Sequence, residues 1–297
     1  MFSKDKLLEL NSQGFIPGPK ESEKDFFDRI QLYKDFYVNP ENHIVNPVFS
    51  LKDRMPKPYL SWTKSTLINL YGFVPQFLSV FFDNKGLNPL QGAVTWECKT
   101  KNNNIIIPVL QLKKGLKKGS YLGIYKIDEI LAHEAVHAAR IAFQEPKFEE
   151  VFAYLVSDSI FRKVLGPIIK TPKELIFFFL SFSGYIVTNF LVNFFQKATF
   201  FFHFFAFSTF LLISYGLFRL VKVRKIFNKT LKKLISIFSS KSLALSTMLR
   251  LTDSEIILFS KMNKKEILSY AKQMEDKQLR WKVIFLAYFH KIDEKYL

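Results

Sequence analysis

The sequence has almost no cysteine, since Cys98 is the only one among 297 residues. A disulfide framework within the chain is therefore excluded, and a reducing compartment is favoured. Acidic residues are also few: 26 Asp and Glu stand against 43 Lys and Arg, which gives a formal net charge of +17. Because 48% of the residues are hydrophobic, the chain is nevertheless too apolar for a disordered polycation. The composition thus excludes both a small disulfide-stapled domain and a disordered tail.

The first residues lack an apolar stretch long enough for a signal peptide, because charged side chains interrupt residues 1–14. Two long uncharged runs come much later. Residues 175–195 carry no formal charge, and between residues 198 and 218 the only titratable side chains are His203 and Tyr215. Each run reaches the roughly 20 residues that a helix needs to cross a bilayer. The sequence predicts a transmembrane hairpin at residues 174–221, and the alternative is a pair of helices buried in a soluble core.

Basic residues lie mainly outside this hairpin. Lys170 and Lys173 precede it, a basic segment beginning at Arg219 follows it, and the turn between the runs offers Lys197 alone. The positive-inside rule then places both ends of the hairpin in the cytoplasm. We therefore expect an integral membrane protein with two transmembrane helices and with cytoplasmic N- and C-termini.

The segment after the hairpin is strongly basic, with nine Lys or Arg and no Asp or Glu between residues 219 and 250. Apolar residues recur at helical spacing within it, and lysines lie between them. This pattern predicts a basic amphipathic helix on anionic lipid headgroups. Nucleic-acid binding is disfavoured, because the segment adjoins the membrane exit and matches no nucleic-acid module. A third interpretation is a helix face that packs on the rest of the protein. The apolar positions are Val223, Phe227, Leu231, Leu234 and Phe238.

The motif that carries chemistry is HEAVH at residues 133–137, an instance of HExxH. On a helix, His133 and His137 lie one turn apart on the same face, so both imidazoles can reach one ion. Glu134 is then placed to take a proton from a metal-bound water. Asp128 is the expected cap of this helix. The alternative is a helix whose two histidines only pack or form hydrogen bonds.

A catalytic zinc site usually has three protein ligands and one position for water. The nearest further donors are Glu149 and Glu150, on a second helix expected after Pro146. Twelve residues (138–149) separate His137 from Glu150, which is enough to end one helix, turn and return beside it. Only one of the two carboxylates can point at the metal, since helical neighbours diverge by about 100°.

This pattern resembles the gluzincin group of zinc metallopeptidases, in which a helix after the HExxH helix provides a glutamate ligand. In several members an aromatic residue and an alanine closely follow that glutamate, as they do in the sequence EVFA at residues 150–153. The resemblance covers residues 125–158. It implies Zn²⁺ bound by His133, His137 and Glu150, with Glu149 as the alternate ligand, and Glu134 as general base.

Other residues are candidates for supporting roles. Glu129 and Asp158 are the carboxylates expected to orient the ligand imidazoles. An oxyanion formed during hydrolysis needs a further hydrogen-bond donor, and the sequence does not choose among four candidates. They are Tyr121, Tyr125, Tyr154 and His290.

A β-hairpin is predicted ahead of the motif, from residues 93–98 and 105–112. Pro108 suggests that the second strand is an edge. An edge strand beside the helix of a zincin pairs with extended substrate, and residues 104–111 are the candidate here. An ordinary sheet edge explains the pattern equally well.

Together these elements predict an α+β fold with four regions. Residues 1–90 are mixed and mainly helical, with a helix at 21–37 and an apolar core or interfacial segment at 67–82. Residues 91–168 form a small zincin-like core, in which a short sheet accompanies the HExxH helix and the glutamate helix. The hairpin at 174–221 follows, and residues 222–297 carry the basic helix and two or three further helices.

The resulting hypothesis is a membrane-bound zinc metallopeptidase that hydrolyses peptide or protein substrates at the cytoplasmic face, through a zinc-activated water. Two other hypotheses stay open. One is a non-catalytic membrane scaffold or adaptor with a basic lipid-binding helix. The other is a metal-dependent hydrolase of a non-peptide substrate, because HExxH specifies an activated water and not the bond that is attacked.

Overall fold

The computed structural model describes residues 2–44, 47–56, 61–89, 91–99, 105–123, 125–168, 172–196, 199–290 and 292. Their fold is mixed α+β, as predicted, with long helices and two small sheets. The helices are α1 (Lys4–Ser12), α2 (Glu23–Val38), α3 (Ser61–Tyr71), α4 (Ile127–Arg140), α5 (Glu149–Tyr154), α6 (Ile160–Leu165), α7 (Pro172–Phe195), α8 (Thr199–Phe238), α9 (Lys241–Leu249), α10 (Asp253–Phe259), α11 (Lys264–Glu275) and α12 (Leu279–Ile284). The strands are β1 (Ser79–Phe82), β2 (Ala93–Lys99), β3 (Ile106–Leu112), β4 (Ser120–Tyr121) and β5 (Tyr125–Lys126).

The larger sheet has β3 at its centre. β2 and β3 form the predicted antiparallel hairpin, with Ala93 opposite Leu112, and β1 runs parallel to β3 on the other side. The prediction that β3 is the edge strand is therefore wrong. Pro108 is tolerated because β1 pairs only with residues 109–112, so at Pro108 the strand has one neighbour. The edge beside α4 is β2, and Asn104 of the predicted substrate strand lies outside the described residues.

The N-terminal region contributes both helices and one strand to the core. α2 matches the predicted helix at 21–37, and the Ser22 hydroxyl accepts a hydrogen bond from the Asp25 amide at its start. The apolar segment at 67–82 is buried as the core interpretation requires, but it is not one helix. α3 ends at Tyr71, Gly72 turns the chain with φ 68°, and β1 begins at Ser79.

Two helices, α7 and α8, are long and apolar enough to cross a membrane by length and composition. Only 11% and 17% of their apolar windows are buried, so most of their phenylalanines face outward. Small and hydroxyl-bearing residues let the two helices approach each other: Ser181 Oγ lies 3.0 Å from Thr209 Oγ1, and the Phe205 ring covers Gly184. Close contact through small residues is typical of helix pairs in lipid.

The predicted basic amphipathic helix is the C-terminal half of α8, residues 219–238, which we call its lower half. α8 itself runs unbroken for 40 residues. Its apolar face is buried in the protein, since Phe227 is 2% exposed and its ring lies 5.0 Å from that of Phe152. The prediction of a separate helix that rests its apolar face on lipid is therefore wrong, and the packing alternative is correct. An amphipathic pattern fits either an apolar core or a membrane surface, and here the core takes it. The side chains of Lys222, Lys225, Lys229 and Lys232 remain exposed.

The two or three helices predicted after residue 250 are α10, α11 and α12 in the part of the C-terminal region that the structure describes, and α9 precedes them. α9, α10 and α11 pack against α8; residues 293–297 lie outside the description. A buried carboxylate joins α10 to α12. Glu255 accepts hydrogen bonds from Arg280 at 2.8 and 2.9 Å, from Trp281 Nε1 at 2.6 Å and from the Thr252 amide at 2.8 Å. Burial acts to raise the pKa of Glu255, but the charge and hydrogen bonds of Arg280 outweigh it and the pKa is lowered.

We predict that Glu255→Gln lowers the free energy of unfolding by about 3 kcal/mol, because it leaves the buried Arg280 without its counter-charge. Glu266→Gln is the matched control: Glu266 closes the same type of helix cap on α11 from an exposed position, and its loss should cost about 1 kcal/mol or less. Denaturant unfolding in detergent, followed by tryptophan fluorescence, measures both.

The pH dependence gives a second check. Since the pKa of Glu255 is lower in the folded state, its stabilisation is complete above the ordinary value of 4.5 and is lost as the pH falls below it. The gap between wild type and Glu255→Gln should therefore narrow in acid. Equal destabilisation by the two substitutions at neutral pH would show that this ion pair does not hold the C-terminal helices.

Candidate metal centre

The helix that carries the HExxH motif is α4. Lys126 precedes it without a capping side chain, so the prediction that Asp128 caps it is wrong. Asp128 lies in the first turn instead, where its negative charge complements the helix dipole, and its Oδ1 accepts a 3.3 Å hydrogen bond from Thr63 of α3. The apolar side of α4, including Leu131 and Val136, is fully buried. On another side of the helix, His133 and Glu134 line a cavity.

α5 is the predicted glutamate helix. It begins at Glu149, after a turn in which Gln144 adopts a left-handed conformation with φ 53°, and it packs against α4. Phe152 anchors it, because this side chain is fully buried and its carbonyl accepts a 2.6 Å hydrogen bond from the Tyr71 hydroxyl. These contacts of Phe152 fix the position of α5 along α4, so Glu149 and Glu150 lie beside the two histidines.

Three predicted ligands meet at one point. The Nε2 atoms of His133 and His137 lie 3.3 Å apart, and the Glu150 carboxylate lies 3.8 Å from the first and 3.7 Å from the second. Two atoms bound to one tetrahedral zinc at about 2.1 Å are separated by about 3.4 Å. The donor set of two imidazoles and one carboxylate, all within 4.8 Å of one another, therefore fits a zinc ion.

The remaining contacts distinguish the two glutamates. Glu149 Oε1 lies 2.9 Å from the other ring nitrogen of His137, Nδ1, and so holds the ring with Nε2 toward the cluster. His133 forms a hydrogen bond to the backbone of Ala153. Glu150 is thus the carboxylate that groups with the two Nε2 atoms, and Glu149, the alternate, contacts Nδ1 of His137 instead.

The electrostatics of the cluster differ between its two histidines. Burial and, to a smaller extent, the neighbouring His137 together lower the pKa of His133 to about 3. Burial also opposes the charged form of His137, but the hydrogen bond to Glu149 and the charges of Glu134 and Glu150 outweigh it and raise the pKa to about 9. The surrounding carboxylates thus favour positive charge at His137.

Glu129 and Asp158, the carboxylates expected to orient the imidazoles, have other partners, so that prediction is wrong. Glu129 is buried and accepts a 2.7 Å hydrogen bond from the Asp158 amide, while its Oε2 lies 2.7 Å from Arg162 Nη1. The Asp158 carboxylate lies 3.7 Å from Lys126 Nζ. Glu129 lies one helical turn before His133, but its side chain points to the segment that leads into α6. Its contacts with the Asp158 amide and Arg162 hold that segment in place.

Glu134 has a partner that the sequence did not reveal. Thr95 on β2 donates a 2.6 Å hydrogen bond from its Oγ1 to Glu134 Oε2. The two residues are 39 positions apart, and a threonine in a strand carries no signal of its own. The contact becomes visible only once β2 is placed against α4.

A cavity of about 510 Å³ opens in front of His133 and Glu134. Of the four candidate oxyanion donors, Tyr125 and Tyr154 line this cavity. Tyr121 does not, and its hydroxyl donates to the Pro89 carbonyl at 2.7 Å. His290 lies beyond α12, outside this lining. Burial raises the pKa of Tyr154 to about 12, so its hydroxyl keeps its proton at neutral pH.

A second cavity, of about 900 Å³, lies at the far end of β2. Gln144 lines it and approaches Glu97 at the end of the strand, at 3.4 Å. The first cavity includes Gly92 and Ala93, where β2 begins. β2 therefore runs from the first cavity toward the second, and its residue Thr95 lies beside Glu134 between them.

Comparison of the chain with models of protein families, with curated proteins and with solved structures found no match. The function is accordingly argued from the geometry of this site.

We predict that the purified protein binds about one Zn²⁺ and that His133→Ala and Glu150→Gln abolish this binding, since each removes one of three ligands. Glu149→Gln should retain the metal with roughly 10- to 100-fold weaker affinity, because it only loosens the orientation of His137. Glu134→Gln, which leaves the three donors intact, is the control that should bind as wild type does. Elemental analysis and competition with a zinc-binding dye give the readouts. Loss of zinc from Glu149→Gln together with full retention by Glu150→Gln would reverse the two roles.

Proposed function

We propose that this protein is a membrane-bound zinc metallopeptidase that hydrolyses peptide bonds at the cytoplasmic face of a bilayer. The observation that carries the proposal is the meeting of His133, His137 and Glu150 at a distance suited to one zinc ion, with Glu134 beside them in an open cavity. This is the donor set that the resemblance to gluzincins implies.

A zinc ion held there would polarise both a water molecule and the carbonyl group of the bond to be cleaved. Glu134 is the general base in this proposal and accepts the proton of that water. Thr95 holds Oε2 of its carboxylate through the 2.6 Å hydrogen bond, and we assign Oε1 to receive the proton. Tyr154, which lies in the cavity with its ring 4.8 Å from that of His133, keeps a proton with which it can stabilise negative charge on the substrate oxygen.

A peptide is the substrate class that the surroundings of the site favour. Among the residues that the structure describes, β2 pairs with β3 and with no second strand, and α4 packs beside it. An extended polypeptide can add to such an edge by backbone hydrogen bonding. The seven residues of β2 span about 23 Å, and the two cavities at its ends can receive side chains on either side of the cleaved bond.

The membrane placement rests on α7 and α8. The charge-free stretch of α8 ends where Arg219 forms a bidentate ion pair with Glu174, at 2.6 and 2.9 Å, and this pair ties the lower ends of both helices together. The exposed lysines of the lower half of α8 then lie on the cytoplasmic side, where anionic headgroups attract them. Lys170 and Lys197, which also enter the charge argument, lie outside the described residues.

Glu134→Gln is predicted to keep zinc and to lower hydrolysis at least 100-fold, because the amide cannot accept the proton of the attacking water. The measurement is mass spectrometry of peptides released from a mixture of unfolded proteins, with zinc content determined on the same preparation. Glu266→Gln, far from the cavity, should cleave as wild type does. A zinc-loaded Glu134→Gln that still cleaves would disprove the assignment of the base. A wild type that binds zinc but cleaves no polypeptide would favour a non-peptide substrate.

Thr95→Val is predicted to lower kcat by roughly 10-fold with little change in KM, because it removes one hydrogen bond that orients Glu134. Thr95→Ser keeps the hydroxyl and should restore most of the rate. Equal activity of the valine and serine variants would show that the hydroxyl does not position the base.

A further inference from the structure

The helix α6 turns its apolar side outward. Ile160, Phe161 and Val164 are 78%, 71% and 45% exposed, and their spacing places them on one face of the helix. The position of the helix is nevertheless fixed, because Arg162 on another side pairs with the buried Glu129. A contiguous apolar face that is held rigidly outward indicates a contact surface.

This face is continuous with the hairpin. A 3-10 turn at Gly166–Ile168 links α6 toward α7, and the Ile168 carbonyl accepts a 2.6 Å hydrogen bond from Arg219 of α8. One step lower on α8, Arg224 donates a hydrogen bond to the carbonyl of Lys163 within α6. Two contacts therefore fix the level of α6 along the axis of α8.

That level can be compared with the layers of a bilayer. Arg219 marks the end of the charge-free stretch of α8 and hence the boundary of the hydrocarbon layer. Arg224 follows five residues later, about 7.5 Å along the helix axis. The headgroup region of one leaflet is about 5–8 Å thick. α6 therefore lies at the depth of the cytoplasmic headgroups.

We propose that α6 is an interfacial helix, which inserts Ile160, Phe161 and Val164 into the bilayer surface and holds the mouth of the metal-site cavity against it. Lys163, between the apolar residues, and Lys222 and Lys225 on the exposed side of α8 suit anionic headgroups. Arg162 and Gly166 belong to α6 and the turn that follows it, and both also line the cavity. The site then faces polypeptide segments that lie on the membrane surface. This inference rests on the membrane placement proposed above, but not on the identity of the metal or on peptidase activity.

The test uses the full chain with Cys98→Ser and single cysteines labelled with an environment-sensitive fluorophore, reconstituted in vesicles of phosphatidylcholine and phosphatidylglycerol. The probe of α6 is Phe161→Cys. Phe207→Cys, on the outward side of the hairpin, reports the hydrocarbon layer. Phe27→Cys is the matched exposed phenylalanine on α2, a helix whose first residue lines a cavity together with residues 275–282. Quenching by aqueous iodide and by spin-labelled lipids is measured for each.

We expect iodide to quench the label at position 161 several-fold less than that at position 27, and lipids with a spin label near the headgroup to quench it more than deeply labelled lipids. Position 207 should show the reverse lipid preference. Iodide quenching at 161 equal to that at 27, with 207 in lipid, would overturn the interfacial role of α6 and leave the hairpin in place. Iodide access at 207 would overturn the hairpin itself. Phe161→Trp in the chain that retains Cys98, quenched by brominated lipids, gives the same distinction if Cys98→Ser fails to fold.

Discussion

The packing around Phe152 is the interaction on which the site depends. A helix of six residues such as α5 is not stable alone, and its position is set by the groups that enclose this one side chain. The Tyr71 hydroxyl bonds to its carbonyl, the Arg140 guanidinium lies 5.1 Å from its ring, and the Phe227 ring packs at 5.0 Å. These contacts come from α3, α4 and α8. Glu149 and Glu150 are therefore positioned by three other helices at once.

The charge balance of the cluster favours a cation. Glu134, Glu149 and Glu150 all lie close enough to His137 to raise its pKa to about 9, although burial opposes a charge there. These three carboxylates therefore favour positive charge at this point of the site. A divalent ion at the meeting point of the donors supplies more positive charge at the same place, and it needs the neutral imidazoles that Glu149 and the Ala153 backbone already orient.

Local periodicity was enough to predict the main parts of the site from the sequence. Histidines four residues apart share a helix face, and a short return places a carboxylate opposite them, so His133 and His137 could be grouped in advance with either Glu149 or Glu150. The choice of Glu150 came from the resemblance to gluzincins and not from the periodicity. Contacts between distant segments could not be predicted, and Thr95 with Glu134 is the clearest case. Glu129 failed for a related reason: one turn before His133 on α4, it has Arg162 and the Asp158 amide as partners from a segment whose path no pattern revealed. The lysine-rich half of α8 was ambiguous in principle, because lipid and a protein core select the same apolar stripe.

The continuity of α8 has a mechanical consequence for the position of the candidate metal site. Its 40 residues extend over about 60 Å, which exceeds the hydrocarbon thickness by a factor of about two. The excess length is a continuous helix and not a flexible linker. Phe227 in this part of α8 packs against Phe152, the residue that anchors α5. A second close contact lies in the turn after α6. Gly166 lies there against the Tyr154 ring, with which any Cβ at this position would collide. That ring in turn packs on His133. Contacts among the described residues therefore connect both α8, through Phe227, and the turn after α6, through Tyr154, to the group of His133, His137 and Glu150. In the proposed membrane placement, these contacts set the distance of the candidate site from the bilayer.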